Sequence, residues 1–131
     1  MAALTEARNT KELHVGAVHY NYEREVASGT VYAGSLVAQN ADGKAVPASD
    51  AASIVVLGRA EATVPAGEIL PVRRGAFLFD NGSSTEALTV ADIGATCCVV
   101  DDHTVGKVGG TNKIKVGIVL DVTDDGVAVL I

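Results

Sequence analysis

Short apolar runs, broken by glycine, asparagine, aspartate and proline, make up most of the chain from Leu13 onward. No segment keeps a helical spacing of apolar residues long enough to predict a substantial helix, whereas runs of this length between turn residues are typical of β-strands. The predicted strands are residues 15–22, 35–39, 44–46, 54–60, 69–74, 76–79, 96–100, 113–121 and 127–131. Strands at this spacing, without helices between them, predict an all-β fold that is a small barrel or sandwich.

Turn residues locate the predicted hairpins and irregularities. The tetrads NADG at residues 40–43 and TDDG at residues 123–126 each lie between two predicted strands, so each predicts a β-hairpin. Gly58 and Gly75 interrupt apolar runs and are interpreted as bulges that bend strands around a barrel. Thr89 and Asp92 have the spacing of a capping box, which predicts one helical turn ending at Gly94.

Residues 1–13 differ from the rest of the chain. They are polar, lack alternation, and contain neither glycine nor proline. They predict an arm that is loose in isolation, although their good helix formers also allow a short helix. Residues 14–131 are predicted to form a single β domain, because a chain of 131 residues suffices for one core and not for two.

Composition and charge narrow the classes of function. The chain is 48% hydrophobic but only 4% aromatic, so the core is predicted to consist of Val, Ile, Leu and Ala. The net charge is −6 and the basic residues are not clustered, so nucleic-acid binding is not expected. Residues 1–74 carry 7 basic and 8 acidic side chains and residues 75–131 carry 3 and 8, an asymmetry attributed to aspartates in turns. No segment has the pattern of a signal peptide or a membrane span, so we expect neither secretion nor membrane insertion.

Candidate catalytic and metal-binding side chains are few. Asp101, Asp102 and His103 are ligand types that suit a divalent metal, but adjacent residues in a turn rarely converge on one ion. Cys97 and Cys98 are neighbours in a predicted strand and would point to opposite faces, so a disulfide between them would be strained. We expect two buried free thiols, without a neighbouring cation in the sequence to activate either of them.

Two loop segments are superficially similar to binding motifs. GKVGG at residues 106–110 has neither Walker spacing nor a following helix, so it is interpreted as a flexible loop. DVTDDG at residues 121–126 lacks the alternating acidic positions of a calcium loop and is followed by no closing glutamate. The sequence therefore predicts no catalytic residue, no metal site and no cofactor, and hence a protein that is not an enzyme.

Eight segments carry a family resemblance, and none of them is a catalytic motif. They are VYAGSLVA (31–38), DGKAVPA (42–48), VLGRAE (56–61), RRGAFLFDN (73–81), ADIG (91–94), VVDDHTV (99–105), VGIVLDV (116–122) and GVAVLI (126–131). In this order they resemble the capsid cement, or head decoration, proteins of tailed bacteriophages and prophages. The resemblance covers most of the chain after the arm.

The resemblance implies a β-barrel or β-tulip body with an extended N-terminal arm and little helix. It also implies a homotrimer that sits outside the expanded head at three-fold or quasi-three-fold positions and clamps subunits of the major capsid protein. The implied location is the outer surface of the virion, after synthesis in the bacterial host cytoplasm. As a hypothesis, the arm lies along the shell with Leu4, Arg8 and Leu13 as anchors. The alternatives are a soluble β-barrel adaptor or ligand-binding module and, more remotely, an enzyme assembled around Asp101–Asp102–His103 or a cysteine.

Overall fold

The computed structural model describes Glu6, Ala7 and residues 21–131, and within these residues the protein is all-β, as the sequence predicts. Two short 3₁₀ turns, Ser84–Glu86 and Val90–Asp92, supply the helical content of this part of the chain. The twelve strands are β1 (Asn21–Glu25), β2 (Thr30–Val31), β3 (Leu36–Gln39), β4 (Ala45–Pro47), β5 (Val55–Ala60), β6 (Val64–Pro65), β7 (Ile69–Arg73), β8 (Ala76–Asn81), β9 (Thr96–Val99), β10 (Thr104–Gly106), β11 (Lys115–Thr123) and β12 (Gly126–Leu130). No helix among the described residues has the length and apolar character needed to cross a membrane.

The first half of the fold is an antiparallel sheet of five strands in the order β1-β7-β5-β3-β4, accompanied by a small β2-β6 ladder. The predicted hairpin at residues 40–43 joins β3 to β4 and is confirmed. Asn40 Oδ1 accepts hydrogen bonds from the backbone N–H groups of Asp42 and Lys44, both at 3.0 Å. Gly43 adopts φ 77°, a conformation that glycine enters without steric cost. This hairpin therefore forms from local turn chemistry.

The second half is a closed five-stranded barrel in the order β10-β8-β12-β11-β9, which confirms the predicted barrel. The hairpin at residues 123–126 joins β11 to β12, and closure comes from a parallel pairing between β8 and β10. Alternation along the strands turns one set of apolar residues inward, where they fill the interior. The buried residues of this interior include Phe79, Val99, Val105, Val119, Val127 and Val129.

One strand of the sheet belongs to both hydrophobic clusters. Leu36 and Ala38 of β3 lie in the barrel cluster, whereas Val37 between them lies in the sheet cluster with Leu70, and all of these side chains are fully buried. The chain length predicts a single core, but the structure has two that meet at β3. The backbone strengthens this junction, because the Leu36 N–H donates to the carbonyl of Asp102 at 2.7 Å.

A second contact joins the sheet to the barrel. The guanidinium carbon of Arg59 on β5 lies 4.2 Å from the ring centroid of Phe77 on β8, a cation–π geometry. The same guanidinium pairs with Glu61 at 2.8 Å. The Arg59 side chain thus spans the junction while its charge remains paired.

Of three further predictions, one lies partly outside the described residues, one is confirmed and one needs correction. The predicted strand at residues 15–22 is seen only as β1 from Asn21 onward, because residues 15–20 are outside the described part. A bulge beside Gly58 is confirmed, because the register of the β3–β5 pairing shifts there and skips Leu57. Gly75 is not a bulge, since it lies at the crossing from β7 of the sheet to β8 of the barrel. Its carbonyl accepts from the Ile131 N–H at 2.9 Å, so the crossing is fixed by the last described residue.

Leu36→Ala is expected to lower the free energy of unfolding by about 2–5 kcal/mol, because it removes a fully buried side chain from the barrel cluster. Since Leu36 lies on the shared strand, sheet and barrel should lose stability together. Urea unfolding measures the stability of the two halves separately. Tyrosine fluorescence reports on the sheet, and alkylation of Cys97 reports on the barrel. All three tyrosines precede residue 33.

Leu70→Ala is the matched control, because Leu70 is equally buried but belongs only to the sheet cluster. This variant is expected to separate the two transitions, with the tyrosine signal lost first. An unshifted Cys97 transition in Leu36→Ala would contradict the coupling through β3.

Candidate functional site

The outer surface of the barrel carries an exposed apolar face formed by β8, β12 and β11. We call it the outer apolar face, and its members are Ala76, Leu78, Ile118, Leu120, Ala128 and Leu130. Strand pairing places these side chains side by side, since Leu130 is opposite both Ala76 and Ile118, and Ala128 is opposite Leu78. The four larger side chains are 42–57% exposed. Apolar side chains adjacent in this way are typical of surfaces that contact another protein.

A β-bulge enlarges this face. The register of the β11–β12 pairing shifts between Val119 and Asp121, so Leu120 is the extra residue. Val119 remains buried and Val122 packs against the barrel core, while Leu120 is 44% exposed. The bulge therefore adds one outward leucine without removing an inward valine.

Acidic side chains border one end of the outer apolar face. Asp121 is paired with Ala128, and Asp80 follows Leu78 by two residues on β8. Both aspartates are exposed, as are Asp124 and Asp125 in the adjoining hairpin. A partner for this face would match it best with apolar contacts at the centre and cationic groups at that border.

Asp101, Asp102 and His103 lie close together in the turn, and whether they bind a metal ion stays a prediction. His103 Nδ1 lies 2.9 Å from Asp102 Oδ1 and 3.1 Å from Asp101 Oδ1, and the three ligand atoms lie within 4.8 Å of one another. The hydrogen bond to Asp102 raises the pKa of His103 above its usual 6.5. The stabilisation from this contact is present below pH 6.5 and is lost as the pH rises through the raised value. The group is exposed and its imidazole already has partners in both carboxylates.

Cys97 and Cys98 are free and buried, as predicted. Burial raises the pKa of Cys97 to about 11, and burial also raises the pKa of Cys98. Cys97 Sγ faces the carbonyl of Gly117 at 3.6 Å. Raised pKa values disfavour the thiolate, which is the nucleophilic form, so neither thiol is activated in this environment.

The segment 107–113, interpreted from sequence as a flexible loop in its glycine-rich part, is held by a carboxylate. Glu86 accepts hydrogen bonds from the backbone N–H groups of Val108 at 2.6 Å, Gly109 at 2.9 Å and Gly110 at 3.2 Å. The Glu86 carbonyl also accepts from the Lys107 N–H at 3.0 Å. Successive N–H groups that point at one anion form a nest, and here the anion is the protein's own side chain.

A second carboxylate continues the same arrangement. Asp50 accepts from the backbone N–H groups of Thr111 at 2.9 Å and Asn112 at 2.8 Å, and from the Asn112 side-chain amide at 2.9 Å. Together the two carboxylates bind five consecutive backbone N–H groups, residues 108–112. We call this segment, 107–113, the carboxylate-bound loop. The flexible-loop interpretation is wrong because these five donors have fixed partners.

Glycine is required where the loop approaches its partners. A side chain at Gly110 would collide with the Asp50 carboxylate, and one at Gly109 would collide with Cys98. Both glycines have positive φ, 80° at Gly109 and 61° at Gly110, which favours glycine independently of the space available. The close approach places Gly109 directly over Cys98, so the loop covers this thiol.

The candidate anchors Leu4, Arg8 and Leu13 lie outside the described residues, so their role stays a prediction.

Sequence reasoning missed the outer apolar face and the carboxylate-bound loop. The apolar face could not be predicted because its residues belong to continuous apolar runs such as AFLFDN. In that run Leu78 points outward and Phe79 points inward, although both are apolar. The loop pairs with Glu86 and Asp50, which are 22 and 61 positions away along the chain and give no local signal.

No family model, no curated protein and no solved structure matches this chain.

Glu86→Gln is expected to increase the hydrogen-exchange rates of the Gly109 and Gly110 amides about tenfold at neutral pH, because a charge-assisted acceptor becomes a neutral one. Two-dimensional NMR of exchanging protein measures these rates directly. Glu68→Gln is the matched control, since it removes one negative charge from an exposed glutamate outside the carboxylate-bound loop. Unchanged exchange in Glu86→Gln would contradict the carboxylate-bound loop.

Acid is expected to release the same loop. The N–H of Gly109 lowers the pKa of Glu86 below its usual 4.5, and the N–H of Thr111 lowers the pKa of Asp50 below its usual 3.8. For such groups the stabilisation is complete above the ordinary pKa and is lost as the pH falls through the lowered value. Urea midpoints measured from about pH 6 to about pH 2 should fall less steeply for the double variant Glu86→Gln/Asp50→Asn than for the unmodified protein. Parallel profiles would contradict this assignment.

Proposed function

We propose that this protein is a structural head decoration, or cement, protein of a bacteriophage. In this role it binds the outside of the expanded capsid and stabilises the contacts between major capsid subunits. The observation that carries the proposal is the outer apolar face, a continuous row of exposed apolar side chains on the closed barrel. The eight segments that resemble the cement family support it independently, since they cover strands of both the sheet and the barrel.

A cement protein needs favourable binding free energy and no catalytic site. The outer apolar face can supply this binding free energy. Burying Leu78, Ile118 and Leu130 against a partner would remove apolar surface from water. If the protein assembles as a homotrimer, each assembly presents three copies of every contact. Modest individual contacts then act together, so the loss of one shell subunit requires breaking several of them.

The N-terminal arm has a separate part in this proposal. Residues 1–13 would lie along the shell, with Leu4, Arg8 and Leu13 as anchors. An arm that gains order on docking lengthens the footprint without enlarging the folded body. The alternative of a ligand-binding barrel is less well supported, because packed side chains fill the barrel interior.

Leu78→Asp is expected to weaken binding to emptied, expanded heads of the encoding phage about tenfold, because it places a charge at the most exposed large side chain of the apolar face. Co-sedimentation of purified protein with heads measures the affinity, and cryo-electron microscopy tests whether the bound protein lies at three-fold positions. Deletion of residues 2–13 should also weaken binding while the far-ultraviolet circular dichroism spectrum stays that of the folded body.

Ile69→Asp is the matched control. Ile69 lies on β7 of the sheet and is 57% exposed, the same fraction as Leu78. If the unmodified protein does not bind expanded heads, the cement function is excluded. Equal losses in both variants would exclude the outer apolar face as the contact surface.

A further inference from the structure

A groove of about 290 Å³ opens between the sheet and the barrel, and none of its lining residues belongs to the outer apolar face. One wall is the segment 54–56, at the start of β5, and the other is the segment 113–115, leading into β11. Ile54, Val56 and Ile114 are half-buried and pack against the barrel core, which makes the floor apolar. Val55 is 63% exposed beside them.

A free strand edge runs along this groove. On one side β5 pairs with β3 from Val55 onward. On its other side β7 pairs with Arg59 and Ala60, and Gly58 lies against the backbone of Arg73. Leu57 and Gly58 are buried, so the edge that faces the groove without a strand partner, within the described part of the chain, is residues 55–56. A free edge offers unpaired backbone donors and acceptors, to which an extended peptide can add as a further strand.

The groove is a basic site on an acidic half of the protein. Residues 75–131 contain three basic side chains, Lys107, Lys113 and Lys115, against eight acidic ones. Two of the three, Lys113 and Lys115, line the groove, and both are exposed. Lys107 lies outside the groove lining and its amine is 3.5 Å from Asp92. The charge at the groove therefore complements an acidic partner, whereas the rest of the barrel half would repel one.

The two walls are fixed relative to each other before any partner arrives. Asp50, four residues before Ile54, binds the N–H groups of Thr111 and Asn112, which directly precede the other wall. Each wall also begins at a residue other than glycine with positive φ, Ser53 at 63° and Lys113 at 53°. Such backbone conformations cost free energy and cluster at binding sites. The groove is thus a preorganised surface.

We propose that this groove binds an extended segment of a partner protein in which apolar side chains alternate with acidic ones. The segment adds to the free edge of β5. Its apolar side chains face Ile54, Val56 and Ile114, and its carboxylates face Lys113 and Lys115. This site is distinct from the outer apolar face, so the inference stands whether or not the protein decorates phage heads.

The test uses the full-length protein and two synthetic peptides of about six residues, the length of an ordinary strand. In the acidic peptide valine alternates with glutamate and threonine, and in the control peptide lysine replaces glutamate. Titration to about 1 mM, the range of weak peptide contacts, is followed by the amide resonances of Val55 and Ile114 in NMR spectra. We expect saturable shifts of these two resonances with the acidic peptide alone.

Variants separate the groove from general electrostatics. Lys115→Glu is expected to lower the affinity for the acidic peptide about fivefold or more, because a favourable surface charge contact becomes repulsive. Lys107→Glu makes the same charge change outside the groove and should leave the affinity unchanged. Asp50→Asn should weaken binding through the position of the walls, without a charge change on the groove lining.

Three results would overturn the proposal. They are the absence of saturable shifts at Val55 and Ile114, equal binding of both peptides, and equal weakening by Lys107→Glu and Lys115→Glu. Tighter peptide binding after deletion of residues 2–13 would also overturn it, since the chain's own N-terminal segment would then be the occupant. None of these outcomes bears on head binding through the outer apolar face.

Discussion

Successive side chains of β3 point into different hydrophobic clusters, and this double burial is the constraint on which the rest of the fold depends. Leu36 and Ala38 close the barrel cluster from outside the barrel, while Val37 completes the cluster under the five-stranded sheet. Ordinary antiparallel strands leave one face to water, so their sequences alternate apolar and polar residues. Both faces of β3 are buried, so Leu36, Val37 and Ala38 must all be apolar and must fit the volume available to them.

Three surface features lie around this junction, and they differ in polarity and charge. The outer apolar face lies on the barrel strands and is bordered by aspartates. The carboxylate-bound loop covers Cys98 and is tied to the sheet side through Asp50. The groove lies where the loop meets the start of β5, and its lysines contrast with the acidic surroundings. A rigid body with two chemically different surfaces is suited to holding two partners, or two parts of one partner, at a fixed separation.

The sequence predicts those parts of the fold that depend on neighbours along the chain. The hairpin at residues 40–43 follows from Asn40 and Gly43, and the turn at Val90–Asp92 follows from the capping box of Thr89 and Asp92. The parallel pairing of β8 with β10 and the binding of Glu86 to the loop could not be predicted, because each joins residues that are distant in sequence. The candidate surfaces were missed for a related reason. An apolar run does not show which of its residues face outward until its strand has partners on both sides.

β12 is the last strand of the chain and yet lies between β8 and β11 in the barrel. During synthesis on the ribosome, β8 must therefore wait for the rest of the barrel half before it gains an antiparallel neighbour. Until Leu130 has emerged, Phe77 and Phe79 lack the strand that pairs beside them. Barrel closure is consequently a late event in folding, because β8 can pair with β12 only after the intervening strands β9, β10 and β11 have been made.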